Sequence, residues 1–150
     1  VGYTAPDFIV PEFGGKESIR PRRWLGKPVL MVFYNPNSTT AEEVLHFAQM
    51  AAVGYRDEAI VVGLAMSDDG EKVRKQRDEL HLTIPVLNGL GLRKSYDVEA
   101  TPKLMVLDSE GVVRGAYVGW GQETAGNVLA DLKRAKPRAK VIFQDPPAKK

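Results

Sequence analysis

Residues 28–41 read Pro-Val-Leu-Met-Val-Phe-Tyr-Asn-Pro-Asn-Ser-Thr-Thr-Ala, and they contain the clearest structural signal in the chain. An uninterrupted apolar run, Val29–Tyr34, is bounded by a proline before it and an Asn-Pro pair after it. A run of this length without alternating polar positions is typical of a strand that is buried on both faces of a sheet. The polar residues from Asn37 to Thr40 favour the N-terminus of an α-helix. The stretch therefore predicts a central strand that leads directly into a helix.

This helix is predicted to start just after Thr40 and to end near Gly54. Thr39 with Glu42, and Thr40 with Glu43, have the spacing of the capping box. In that motif a hydroxyl accepts from a backbone N–H of the first turn, and the glutamate reaches back to the cap. Small and aliphatic residues recur every three or four positions, so one side of the helix is expected to pack on the sheet. These residues are Ala41, Val44, Leu45, Ala48, Ala51 and Ala52.

The rest of the chain alternates between apolar runs and polar or amphipathic segments. The strand-like runs are residues 59–66, 84–87, 103–107 and 112–118, and the helical segments are residues 71–80, 90–96 and 122–136. Gly14-Gly15 predicts a hairpin within residues 9–19. The last helix is expected to turn Val128, Leu129 and Leu132 inward and to end at Pro137. This order predicts an α/β fold with a mixed sheet flanked by helices.

The 150 residues suffice for one domain with a single core, which we place at residues 1–136. Residues 133–150 carry seven basic side chains against one acidic, so this segment has a net charge of +6, and residues 1–132 have −4. Residues 137–150 are therefore expected to form a basic, proline-containing tail or linker. Because the sequence begins with valine, we also expect it to be a piece of a longer chain.

Composition excludes several classes of function. The chain has no cysteine, which removes thiol nucleophiles, thiolate metal ligands and redox pairs. Its two histidines are too few for a typical histidine metal site. The longest apolar runs are too short to span a bilayer, and the mildly acidic body disfavours nucleic-acid binding. We therefore expect no metal, no cofactor, no membrane insertion and no nucleic-acid partner.

Three groups of residues carry a resemblance to a known family. They are Ala-Pro-Asp-Phe at 5–8, Gly-Lys-Pro-Val-Leu-Met-Val-Phe-Tyr at 26–34, and the ordered set at 84–87, 96–104 and 107–113 with Gly119. Together they resemble the redoxin branch of the thioredoxin superfamily, closest to TlpA/ResA-like thiol–disulfide oxidoreductases and neighbouring the AhpC/TSA-type peroxiredoxins. The resemblance implies a three-layer α/β/α thioredoxin-like fold with a mixed central sheet. It also implies an N-terminal hairpin, an inserted strand–helix unit near residues 67–80, and a cis bond before Pro102.

The chain departs from this family at the catalytic motif. In the resembled oxidoreductases the strand leads into Trp-Cys-x-x-Cys at the helix start, where unpaired amides and the helix dipole stabilise a thiolate. Here Ser38 and Ala41 occupy the two cysteine positions, and Asn37 occupies that of the tryptophan. In the peroxiredoxin alternative the reactive cysteine falls near Glu42 or Glu43. The chain as it stands therefore cannot perform thiol–disulfide exchange.

Two interpretations follow. In the first, the chain is a degenerate redoxin domain, a pseudoenzyme that acts as a protein-binding, peptide-binding or structural module. In the second, it is a TlpA/ResA-like thiol–disulfide oxidoreductase whose cysteines have been replaced by Ser38 and Ala41. The change of Asn37 and of Thr39-Thr40 as well favours the first. The resemblance also favours a periplasmic or secreted location, because TlpA/ResA-like domains commonly work there.

The strongest remaining candidate site is Thr101-Pro102. In the resembled family the backbone before the cis-proline pairs with an extended substrate peptide, so a groove formed by Asn37, Ser38, Thr101 and Pro102 is expected to bind a protein or peptide segment by strand addition. The alternative is that the proline is retained because the fold needs the turn. Ser38 has no base within reach for hydrolytic chemistry, so a capping role is preferred for it. Trp24 and Trp120, if exposed and adjacent, could form a partner surface.

Overall fold

The computed structural model describes residues 1–6 and 26–135, together with the backbone of Val10–Pro11 and Ser18–Ile19. The strands are β1 (Val10–Pro11), β2 (Ser18–Ile19), β3 (Val29–Tyr34), β4 (Ile60–Ala65), β5 (Val86–Asn88), β6 (Lys103–Leu107) and β7 (Val113–Val118). The helices are α1 (Ala41–Tyr55), α2 (Gly70–Glu79) and α3 (Thr124–Ala135). The predictions for Gly14-Gly15, Trp24, Pro137 and the tail at 137–150 lie outside the described residues.

Five strands form one mixed sheet in the order β5-β4-β3-β6-β7. Strand β3 lies at its centre, parallel to β4 and antiparallel to β6, and β4 is in turn parallel to β5. Strand β7 pairs antiparallel with β6 at one edge. Strands β1 and β2 pair antiparallel as a separate hairpin. The predicted thioredoxin-like fold, with its mixed sheet and N-terminal hairpin, is confirmed.

Both faces of β3 are buried, and its side chains alternate between two apolar clusters. Leu30 and Val32 point to the face that α1 and α3 cover. Met31 and Phe33 point to the opposite face, which the segment around residues 90–98 covers. A strand that is covered on both faces has no position at which a polar side chain is solvated, so its sequence is apolar throughout. This burial accounts for the uninterrupted run at Val29–Tyr34.

The N-terminal residues extend the sheet beside β7. The N–H of Gly2 donates to the carbonyl of Val113 at 2.7 Å, and the N–H of Val113 donates to the carbonyl of Tyr3 at 2.8 Å. The phenol of Tyr96, which is buried against the Phe33 ring, donates to the carbonyl of Pro6. These bonds attach the entry segment to both the edge and the core of the domain.

Two element predictions need correction. Leu129 is 39% exposed, while Asp131 is buried at 4% and accepts hydrogen bonds from the Tyr117 hydroxyl and from Arg134. Helix α3 is therefore rotated so that a satisfied carboxylate, rather than a third aliphatic side chain, faces the sheet. The helix predicted at residues 90–96 is only a 3-10 turn over Leu90–Leu92, and residues 93–97 continue as hydrogen-bonded turns.

Candidate functional site

The sheet topology brings the C-terminal ends of β3 and β4 and the segment before β6 together at one end of the strands. Because β3 and β6 are antiparallel, with Phe33 opposite Lys103, the residues after β3 lie beside those before β6. Strand β4 is parallel to β3, and the N–H of Met66 donates to the carbonyl of Tyr34 at 2.8 Å. The Thr101-Pro102 peptide bond at this edge is cis. The edge thus combines the ends of β3 and β4 with the cis-proline segment.

The segment between β3 and α1 is a hydrogen-bonded turn. The N–H of Asn37 donates to Asn35 Oδ1 at 2.9 Å, and the N–H of Ser38 donates to the carbonyl of Asn35 at 2.9 Å. The Ser38 hydroxyl accepts from the N–H of Thr40 at 3.2 Å and contacts the Thr40 hydroxyl at 2.9 Å. The expected capping box at Thr40 is wrong, because Thr40 already has helical backbone angles and forms no side-chain cap. Ser38 organises the turn instead.

The two motif positions differ in their surroundings. Ser38 is partly exposed in the turn before α1. Ala41 is only 2% exposed and packs in an apolar cluster that contains Tyr34, Leu45 and Val73. A side chain at position 38 is thus accessible from solvent, whereas one at position 41 is enclosed.

A cavity of about 210 Å³ lies beside the cis-proline segment. It is lined by Asn35, Met66, Arg93, Val98, Glu99, Ala100 and Thr101. Among the described residues, no hydrogen bond uses the backbone N–H or carbonyl of Ala100 or Thr101. Thr101 is partly exposed and Pro102 is buried. A polar cavity thus adjoins a short backbone segment with unused donors and acceptors.

The structure joins only part of the expected site to this cavity. Thr101 lines it, whereas Asn37 and Ser38 lie in the neighbouring turn and do not line it. Asn35 and Met66 do line it, and sequence reasoning missed both of them. Their position directly after two buried strands was the signal that could have identified them, because adjacent parallel strands end at the same edge of a sheet.

Trp120 packs against the first half of α1. Its indole N–H donates to the Glu43 carboxylate, and its ring packs on Phe47 with a centroid separation of 5.3 Å. Trp120 is consequently only partly exposed, and Glu43 serves this contact rather than a capping box. Trp24, its expected companion, lies outside the described part of the chain.

Tyr34, the last residue of β3, has a buried phenol. Burial raises the pKa of the Tyr34 phenol far above its ordinary value, and the charge of Arg77 opposes this shift only in part. Tyr34 therefore stays neutral at physiological pH. Residues 1–6 and 26–135 contain no cluster of His, Cys, Asp or Glu that could hold a metal ion. None of the helices within those ranges is long and apolar enough to cross a membrane.

Comparison with known proteins places the chain in a family. A model of the AhpC/TSA family matches residues 1–116. The chain belongs to the AhpC/TSA family. The expected redoxin resemblance is thereby confirmed. Among curated proteins, none matches the sequence of this AhpC/TSA-family chain significantly.

Solved structures support the same fold. A protein assigned as thiol:disulfide interchange protein DsbE of Chlorobium tepidum is 18% identical, with a TM-score of 0.81 over 89% of this chain and 96% of the other. A secreted Mycobacterium tuberculosis disulfide oxidoreductase is 19% identical, with a TM-score of 0.68 over 82% and 95%. The exposed lipoprotein thioredoxin Etrx1 of Streptococcus pneumoniae is 21% identical, with a TM-score of 0.72 over 86% and 99%. These structural similarities establish the thioredoxin-like fold.

Proposed function

We propose that this chain is a redoxin-fold module that binds an extended protein or peptide segment without thiol chemistry. The segment adds as a short strand at Thr101, in the groove formed by Asn37, Ser38, Thr101 and Pro102. The observation that carries this proposal is that the backbone of Ala100 and Thr101 forms no hydrogen bond within the described residues and lies beside a cavity of about 210 Å³. Main-chain pairing would supply affinity, and the cavity would accept one side chain of the bound segment.

The lack of cysteine separates this function from dithiol–disulfide exchange. That reaction requires a thiolate as nucleophile, and the sequence contains none. The Ser38 hydroxyl is instead engaged with Thr40. The features that remain, a strand end and an adjacent cavity, are those of a recognition surface.

The test is a titration of the uniformly ¹⁵N-labelled chain with a blocked heptapeptide of alternating threonine and valine, with glutamine at its centre. This peptide is extended and uncharged, so it probes main-chain pairing. We expect saturable amide shifts at Ala100 and Thr101, and at Asn37 and Ser38, at millimolar peptide. If the chemical shifts of these four amides do not change during the titration, the proposal is overturned.

A matched pair of variants locates the binding. Ala100 is exposed and lines the cavity, whereas Ala116 is exposed on β7 and does not line it. Ala100→Trp is expected to fill the cavity and weaken binding at least fivefold, and Ala116→Trp is expected to leave it unchanged. Equal binding by both variants would place the peptide elsewhere on the chain.

The second candidate is a thiol–disulfide oxidoreductase whose cysteines have been replaced in this chain. The partly exposed Ser38 and the enclosed Ala41 favour it, because an accessible nucleophile and a shielded resolving thiol suit that reaction. The source gene at codons 38 and 41 discriminates between the two. Cysteine codons would favour the oxidoreductase, and serine and alanine codons would exclude a replacement of cysteines in this chain.

An extracytoplasmic location accords with both candidates. Two of the solved structures with this fold are described as a secreted disulfide oxidoreductase and an exposed lipoprotein. Fusing the full-length gene product to a reporter that is active only outside the cytoplasm would test this part of the proposal.

A further inference from the structure

The cavity beside Thr101 has charged and polar lining groups. Two of its lining side chains are oppositely charged, Arg93 and Glu99, and both residues are exposed. Neither forms an ion pair among the described residues. The side-chain oxygen of Asn35 accepts from the N–H of Asn37, so the side-chain NH₂ of Asn35 remains as a donor. The lining therefore offers donors from Asn35 and Arg93 and acceptors from Glu99.

Lys103 adds a positive charge near the cavity to the opposite charges of Arg93 and Glu99. Its residue is only 7% exposed, and its ammonium donates to the carbonyls of Tyr96 and Asp97 at 2.8 and 3.0 Å. No carboxylate of the described residues lies within ion-pair distance of it. A buried cation without a counter-ion acts over a longer range than a solvated one, because little water screens it. Its two acceptor carbonyls, those of Tyr96 and Asp97, directly precede Val98, which lines the cavity.

We propose that the cavity selects a segment with an acidic side chain at the position that enters it. The carboxylate would accept from Arg93 and from the Asn35 amide, and the charge of Lys103 would favour it further. This inference rests on the proposed function and adds to it the chemical class of the ligand. Exposed Lys94 and Asp97 flank the same turn with opposite charges and do not line the cavity.

The test compares three blocked threonine–valine heptapeptides that differ only in a central glutamate, glutamine or lysine. Dissociation constants come from the shifts of the Ala100 and Thr101 amides. We expect the glutamate peptide to bind about fivefold more tightly than the glutamine peptide, and the lysine peptide to bind most weakly. Equal affinities would overturn the acidic preference while leaving peptide binding intact. No shift with any of the peptides would overturn both proposals.

Exposed residues provide variants that do not endanger folding. Arg93→Gln is expected to abolish the preference for glutamate, and Lys94→Gln, the same change of charge one residue away, is expected to preserve it. Glu99→Gln is expected to increase the preference. If Arg93→Gln and Lys94→Gln reduce it equally, general electrostatic attraction explains the preference and the cavity does not.

Discussion

At the residue scale, Ser38 and Ala41 differ in solvent exposure even though only two residues separate them in the chain. Ser38 is within reach of solvent in the turn before α1, and Ala41 is enclosed beneath the helix. The N-terminal end of a helix stabilises a negative charge. Glu42 and Glu43, in the first turn of α1, oppose this effect. The electrostatic environment of position 38 is therefore the sum of two effects of opposite sign.

Replacing Ser38 by cysteine measures that sum. We expect the pKa of the thiol in Ser38→Cys to fall below the ordinary value of about 8.5, because the N–H of Thr40 donates to the side chain at this position and the helix start favours a negative charge. The measurement is the pH dependence of alkylation by iodoacetamide, with Ala116→Cys as an exposed thiol on a strand. Adding Glu42→Gln should lower the pKa further. A pKa in Ser38→Cys at or above that in Ala116→Cys would contradict the expectation.

At the scale of elements, the rotation of α3 is set by a polar contact. Asp131 is buried and bonded to Tyr117 and Arg134. It fits because residue 115 on β7 is glycine: a Cβ added there would lie 2.1 Å from Asp131 Oδ2. The hydrogen bonds to Asp131 thus require a strand position without a side chain.

Two glycine substitutions test this packing, and they are expected to change the free energy of unfolding in opposite directions. Gly115→Ala is expected to destabilise the domain by roughly 1–3 kcal/mol, because Asp131 must move from its partners. Gly126→Ala, on α3 with no atom near the added Cβ, is expected to stabilise it by about 0.5–1 kcal/mol. Urea unfolding measures both values. A neutral Gly115→Ala would show that Asp131 can move without loss.

At the scale of the whole molecule, helix α3 supplies the last buried side chains among the described residues. Val128, Leu132 and Ala135 close the helix-covered face of the sheet, and the opposite face is closed by residues before β7 and by Val113. The division into a domain at residues 1–136 and a tail at 137–150 stays a prediction.

Truncation tests that division. Removing residues 137–150 is expected to change the free energy of unfolding by no more than about 0.5 kcal/mol, because a basic tail outside the packed domain would contribute little. Leu132→Ala provides the scale for a true core loss, about 2–5 kcal/mol. Thermal and urea unfolding of both chains give the comparison. A truncated chain as unstable as Leu132→Ala would place part of the tail in the folded domain.

How much the sequence predicts depends on how local the responsible interaction is. The continuous apolar run of β3 and the strand–helix alternation depend on the chain's own periodicity, and both predictions were confirmed. The capping box failed because Ser38, rather than Thr40, organises the turn. The prediction that Leu129 faces inward was wrong because helical periodicity permits two neighbouring rotations of α3. The hydrogen bond between Asp131 and Tyr117 on β7 selects one of them.

By itself, the sequence determined the class of fold, the central strand and the loss of thiol chemistry. Each of these follows from residue type and spacing along the chain. Only the tertiary structure decided that Asn35, Met66 and Thr101 share one cavity with Arg93 and Glu99. Those residues are up to 66 positions apart in the chain, and they meet because parallel β3 and β4 end where antiparallel β6 begins. A local pattern can mark where a strand ends, but which strand ends meet is a property of the folded sheet.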